Sequence, residues 1–185
     1  MLKNRYRDDY ASTSYMDASG KVVKGTCYRG DMYVLPMDTK EKQRTGLVNL
    51  GFSLLFAVLF AAGGMVNQDS SHTFWIVFPY IFIFLPIGYF FLGAVSYFGT
   101  PVRMERAAYD GSLQRMKHSC LGAMVMTGIS GVLDIVYLLL YHDSIQVHRE
   151  CVYLLCHILF LLAAVGYGRL YDRMYSGLTV EKSSH

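Results

Sequence analysis

Residues 119–141, SCLGAMVMTGISGVLDIVYLLLY, carry a single charged side chain, Asp134, in 23 positions. About 20 apolar helical residues are enough to cross the hydrocarbon core of a bilayer, which is about 30 Å thick. Three further runs have the same length and character: residues 46–66, 74–98 and 150–171. The apolar residues fill these runs instead of marking one helical face, so the runs favour membrane spans over soluble amphipathic helices.

The sequence therefore predicts an all-α integral membrane protein with four transmembrane helices in an up-down bundle. The composition agrees, since 53% of the residues are hydrophobic and 15% are aromatic. We expect three parts: an N-terminal segment (residues 1–45), a four-span membrane domain (residues 46–171) and a tail (residues 172–185). The first ten residues are polar and charged, so we expect no cleavable leader and a first span that acts as the anchor.

The distribution of basic residues predicts the orientation of the spans. Lys and Arg number nine in residues 1–45, none in 67–73, four in 99–118, one in 142–149 and three at the C-terminal end, namely Arg169, Arg173 and Lys182. Basic residues mark the cytoplasmic side of a membrane. We therefore expect a multi-pass protein of the cell membrane with both termini and the middle connection in the cytoplasm. The middle connection is interpreted either as a positively charged loop or as a short amphipathic helix on the bilayer surface.

The N-terminal segment carries the signature of a small cytoplasmic β-hairpin. Two turn signals, at residues 17–20 and 29–31, flank a stretch rich in β-branched residues. The same pattern also fits a three-stranded meander ending near Pro36. A hairpin of this size is marginal in water, so we expect it to pack on a surface.

Small residues and prolines predict how the spans pack. Small side chains let transmembrane helices approach closely, and they identify five helix-packing positions: Gly51, Gly64, Gly131, Ala164 and Gly168. In the second run Pro79 and Pro86 each remove a backbone hydrogen bond, so this span is expected to kink.

Two ionisable residues lie inside the predicted spans. Asp134 comes seven residues before Tyr141, and His157 comes seven residues after Glu150. On antiparallel helices the two lie at similar depth, about 10 Å below the outer surface. A carboxylate at this depth is costly unless it is paired or hydrated. Asp134 and His157 are therefore candidates for a proton relay or for a structural polar pair that fixes the helix register.

The sequence contains no familiar catalytic signature, so we do not expect an enzyme. We also expect no metal, because the histidine spacings form no recurring ligand motif, and no cofactor or nucleic-acid partner. Two functions remain. The first is a non-enzymatic accessory or scaffold subunit of a membrane complex, embedded in the lipid bilayer and bound to a protein partner or a second copy of itself. The second is a proton-coupled small-solute transporter that uses Asp134 and His157.

Overall fold

The computed structural model describes residues 6–16, 22–141, 143 and 145–182. Its helices are α1 (Thr39–Met65), α2 (Phe74–Phe82), α3 (Phe84–Gly99), α4 (Arg106–Tyr109), α5 (Arg115–Tyr141) and α6 (Val147–Tyr175). Its strands are β1 (Tyr10–Met16), β2 (Val22–Tyr28), β3 (Met32–Val34), β4 (Arg103–Glu105) and β5 (Thr179–Glu181).

Four helical segments are long and apolar enough to cross a membrane, as predicted: Thr39–Met65, Phe74–Gly99, Arg106–Tyr141 and Val147–Tyr175. They extend beyond the predicted runs. The first begins at Thr39 because the side chain of Asp38 accepts a hydrogen bond from the Glu41 N–H at 2.7 Å, which caps the helix. The third begins at Arg106, since α4 continues through a π-helical turn, Asp110–Gln114, into α5. The second half of the middle connection is therefore part of the third long helix.

The surfaces of these helices are the reverse of those in a soluble protein. Large apolar side chains point outward, among them Leu54, Phe74, Val132 and Leu162, each more than half exposed. Polar side chains point inward: Asn49, Ser53, Ser119, Thr127, Ser130, Asp134, Glu150 and His157. An apolar surface of this extent is stable in lipid and not in water. The arrangement supports a membrane protein.

The second long helix breaks at Ile83, between α2 and α3. Pro86 has no N–H to donate to the carbonyl of Phe82, and its ring crowds that carbonyl. Pro79 lies within α2. Tyr80, between the two prolines, donates its hydroxyl to the carbonyl of Phe60 on α1. The helix is therefore interrupted between the two prolines that predicted a kink, and Tyr80 holds this part of it to a neighbouring helix.

One end of the molecule, here named the sheet end, is closed by a three-stranded antiparallel sheet in the order β4-β3-β5. These strands precede α1, follow α3 and follow α6, so three separate parts of the chain meet there. Next to them the Nζ of Lys42 donates to the carbonyl of Tyr97 at 2.9 Å. A cation is favourable at this place because α3 ends at Gly99, where backbone carbonyls carry partial negative charge.

The opposite end, here named the loop end, is held together by contacts between its two connections. The backbone N–H of Gln146 donates to Oδ2 of Asp69 at 2.7 Å. Arg149 donates from Nη1 to the carbonyl of Asn67 at 2.9 Å. The first connection is therefore fastened to the start of α6.

The predicted N-terminal hairpin is present as β1 and β2, paired antiparallel from Tyr10↔Tyr28 to Met16↔Val22. The residues of its expected turn, 17–20, lie outside the described residues. β3 does not extend it into a meander, because β3 pairs with β4 and β5 instead. The hydroxyl of Tyr10 donates to Oε2 of Glu105 at 2.5 Å, a contact that raises the pKa of Tyr10 to about 12. Arg106 N–H donates to the Tyr28 hydroxyl at 3.0 Å, so the base of the hairpin is anchored.

Close approach of α3 to the π-helical turn depends on Gly93. A Cβ there would lie 2.8 Å from Cγ of Met116 and 3.1 Å from the carbonyl oxygen of Ser112. We predict that Gly93→Ala lowers the free energy of unfolding by about 1–3 kcal/mol. Gly88→Ala on the same helix is the matched control, because its Cβ would meet no atom within 4 Å. Unfolding in detergent would compare the two variants, and equal stabilities would contradict this packing.

Candidate functional site

Buried polar residues form two groups separated by an aromatic layer. The group toward the loop end, here named the loop-half cluster, contains Ser70, Thr127, Ser130, Asp134, Glu150, Tyr153 and His157. In the aromatic layer the rings of Phe56 and Phe90 are 5.2 Å apart and those of Phe56 and Phe160 are 5.1 Å apart. Polar side chains inside a low-dielectric interior need partners of their own, so the hydrogen bonds of each group determine what it can do.

Glu150 is fully buried and fastens the first connection to α6. Its Oε1 accepts from the backbone N–H of Ser70 at 2.9 Å, and its Oε2 accepts from the Ser70 hydroxyl at 2.8 Å. Glu150 stands in the first turn of α6, where the helix dipole favours a negative charge. Hydrogen bonds to charged groups are the stronger kind, so this clamp is a main support of the loop end.

Asp134 on α5 is also fully buried and lies beside Glu150. Its nearest titratable neighbour is the Glu150 carboxyl, and Ser70 also lies close to it. Neither of its oxygens accepts a hydrogen bond from an N–H or O–H of the described residues. The N–H and O–H of Ser70 donate to Glu150 instead. The main neighbour of Asp134 is therefore another acid.

His157 on α6 uses both ring nitrogens within the loop-half cluster. Nδ1 lies 3.0 Å from the carbonyl oxygen of Tyr153, and Nε2 lies 3.0 Å from the Ser130 hydroxyl. A carbonyl only accepts, so Nδ1 carries the proton. In a neutral imidazole Nε2 then accepts from Ser130. The ring is held in one orientation by α5 and by its own helix.

The structure buries both members of the pair predicted from the sequence, Asp134 and His157, and places them on adjoining helices. Within the described ranges no hydrogen bond or ion pair joins them. Their role as a relay or a structural pair stays a prediction.

The five predicted helix-packing residues differ in their surroundings. A Cβ on Gly131 would come within 3.8 Å of the Cβ of His157, one on Gly168 would come within 3.6 Å of Met124, and one on Gly64 would come within 3.0 Å of the Tyr80 hydroxyl. Ala164 is fully buried against Cys120, whose Sγ donates to its carbonyl at 3.4 Å. Gly51 faces open space.

A small cavity adjoins the loop-half cluster. Its volume is about 10 Å³, and His157, Thr127, Tyr80 and Cys156 contribute to its lining. The buried hydroxyl of Thr127 has no hydrogen-bond partner within the described part of the chain. The cavity has room for about one water molecule and not for an organic solute.

The second polar group lies toward the sheet end and is built on tyrosines. Asn49 donates from Nδ2 to the Tyr175 hydroxyl at 3.1 Å, and its Oδ1 accepts from the Tyr167 hydroxyl at 3.2 Å. Tyr171 donates to the carbonyl of Leu113 at 3.2 Å. These bonds tie α6 to α1 and to the π-helical turn, so they stabilise packing.

Glu150 is the buried residue of the loop-half cluster that was not predicted from the sequence, because it stands at the first position of the fourth apolar run, next to a loop. The spacing of residues along α6 does indicate that Glu150 is buried. The buried residues of α6 recur at three- and four-residue intervals: Glu150, Tyr153, His157, Phe160, Ala164, Tyr167, Tyr171 and Tyr175. Glu150 is the first member of this stripe, which is the interior face of the helix.

Comparisons with protein-family models, with curated proteins and with solved structures gave no match to this chain.

Double-mutant cycles distinguish the two possible partners of Asp134. We predict a coupling of about 0.5–3 kcal/mol between Asp134→Asn and Glu150→Gln, because residues in contact couple. Asp134→Asn and His157→Leu should be additive to within about 0.5 kcal/mol. The measurement is the free energy of unfolding in detergent. A larger coupling with His157 would instead support the direct pair predicted from the sequence.

Proposed function

We propose that this protein is a non-enzymatic accessory or scaffold subunit of a membrane complex, with its four long helices crossing the bilayer as an up-down bundle. The sheet end carries most of the basic residues, so we place it in the cytoplasm of a cell membrane together with both termini. The two connections at the loop end then face outward.

The observation that carries the proposal is the closed interior of the helices. Phe56, Phe90 and Ala164 are at most 1% exposed and, with Phe160, fill the space between the two polar groups. The cavity next to His157 measures about 10 Å³. A carrier needs a solute site near the middle of the membrane, and the packing of the described residues leaves no such space there in this conformation. A structural role fits an interior of this kind.

The hairpin of β1 and β2 is the element we assign to partner binding. Hydrogen bonds hold its base, while Met16 and Val22 at its far end are 74% and 59% exposed. Both strands of a two-stranded sheet are edge strands, and edge strands are the places where a further strand can pair. A strand of a cytoplasmic partner can pair with such an edge, with affinity supplied by main-chain hydrogen bonds.

A groove on the membrane-facing surface is a second contact region for the partner. It lies between α1 and α3, has a volume of about 550 Å³ and includes Ser53, Ala57 and Gly88 in its lining. Ser53 and Ala57 are four residues apart, which is the small-xxx-small spacing of associating transmembrane helices. A transmembrane helix of the partner fits this surface.

The alternative function is a proton-coupled small-solute transporter. The observation in its favour is the burial of Asp134, Glu150 and His157 in one half of the helices, because intramembrane ionisable residues often mark proton pathways. This function needs a second conformation in which the aromatic layer opens. pH-dependent solute flux in liposomes that contain only this protein would favour it.

Deletion of residues 1–28 tests the proposed subunit function. We predict that the truncated chain still inserts and folds, because β3 and its sheet are retained, and that a stoichiometric partner is lost on purification. Deletion of residues 1–36 is the comparison. It removes β3, the central strand of the sheet, and should also lower the melting temperature.

A matched control separates partner loss from general damage. Thr179→Ala alters an exposed residue at the sheet end and should retain the partner. If the 1–28 deletion inserts normally and retains every stoichiometric partner, the hairpin does not dock one and the proposal is wrong.

A further inference from the structure

The contact between Asp134 and Glu150 brings together two groups that are both acceptors when ionised. Both oxygens of Glu150 accept hydrogen bonds from Ser70, as an ionised carboxylate does. The oxygens of Asp134 receive no hydrogen bond from the described residues, although Asp134 is fully buried and lies next to Glu150. Two carboxyl groups form a hydrogen bond only when one of them carries a proton.

No described cation neutralises the two acids. The guanidinium of Arg149 binds the carbonyl of Asn67. His157 is held by Tyr153 and Ser130. Neither acid takes part in the ion pairs found among the described residues, Arg103–Glu181 and Lys117–Asp172. Two adjacent negative charges without a counter-charge are very unfavourable in a low-dielectric interior.

We propose that Asp134 and Glu150 form a proton-binding site in which one proton, carried on Asp134, is donated to Glu150 and holds the first connection on α6. Binding adds H⁺ from water to one oxygen of Asp134, and the pair then has a net charge of minus one. The new O–H supplies the donor that the contact lacks. The remaining charge rests on Glu150, which has two hydrogen bonds and the helix N-terminus to stabilise it.

The surroundings of the site determine how the protein responds to loss of the proton. The titratable groups that face the pair or line its surroundings come from three helices and the first connection: Tyr137 on α5, Tyr153 and His157 on α6, Tyr80 on α2, and Asp69. None of them supplies a positive charge to the pair in its observed arrangement. Repulsion is relieved when the Glu150 side chain moves outward together with Ser70, because the two are bonded. Proton release therefore loosens the first connection.

This site predicts how stability depends on pH. At pH values where the folded protein holds the shared proton and the unfolded chain has lost it, stability falls as the pH rises. Asp134→Asn supplies a permanent N–H donor to Glu150 in place of the proton. The variant should therefore lack the part of the pH dependence that comes from this site.

The experiment measures the melting temperature of the full chain in detergent from about pH 5 to about pH 9, a range chosen to cover a shared carboxyl proton. We expect the melting temperature of the wild type to fall by about 5 °C or more across the range and that of Asp134→Asn to fall much less. Asp172→Asn is the matched control, since it removes an exposed acid of α6, and it should behave like the wild type. A profile of Asp134→Asn that parallels the wild type would overturn the proposal.

A second measurement does not depend on any variant folding. Infrared spectra of the wild type should contain the C=O stretch of a buried protonated carboxyl at low pH, and this band should disappear as the pH rises. Replacing choline by sodium at constant ionic strength should leave the band and the melting temperature unchanged. Absence of the band, or its loss on adding sodium, would overturn the proposal, and the second result would identify a sodium site instead.

Discussion

The apolar surface of the four long helices is the constraint on which the rest of the structure depends. Side chains such as Leu54 and Leu162 are exposed. An extended apolar surface of this kind is suited to a lipid-like solvent, which offers no hydrogen bonds. Every polar group of the helices must then find its partner inside the protein. This accounts for an interior that holds Asn49, Glu150 and several tyrosines, and for the number of side chains that bind backbone carbonyls.

Two of the internal networks fix the ends of the molecule. At the sheet end Lys42 and the strand β3 join segments that are distant in the chain. At the loop end Glu150 holds Ser70 through both carboxylate oxygens. The Phe56 layer lies between the networks and separates them. This arrangement is compatible with the proposed subunit, in which the hairpin and the membrane groove would contact a partner. The proposed proton site lies in the half that contains Asp134.

The sequence was sufficient for the features that depend on hydrophobicity and local chemistry. Run length predicted the four long helices, prolines predicted the break near Ile83, and turn residues predicted the β1–β2 hairpin. The positions of Asp134 and His157 inside the apolar runs also indicated that both lie at similar depth within the spans. Features that depend on contacts between distant residues were not predictable in the same way. The three residues of β3 have a place in a sheet only because the middle connection and the tail supply its neighbours.

The error over Glu150 has a similar cause. A charged residue at the border of an apolar run is normally assigned to water, and its burial depends on a loop that folds back to donate two hydrogen bonds. The neighbours of Asp134 depend in turn on where that loop places Glu150. The spacing of the residues along α6 places Glu150 on the buried face of the helix. Its hydrogen-bond partner, Ser70, lies 80 positions away in the chain.

Chemical labelling of the two ends in intact cells tests whether the protein crosses the membrane with its sheet end in the cytoplasm. Cysteines introduced at His72 and Ser176, which are exposed at the loop end and the sheet end, would be compared in a background with Cys27, Cys151 and Cys156 replaced by serine. We expect a membrane-impermeant maleimide to label position 72 in intact cells and position 176 only after permeabilisation. Equal labelling of both positions in intact cells would contradict a protein that crosses the membrane, and the reverse pattern would contradict its orientation.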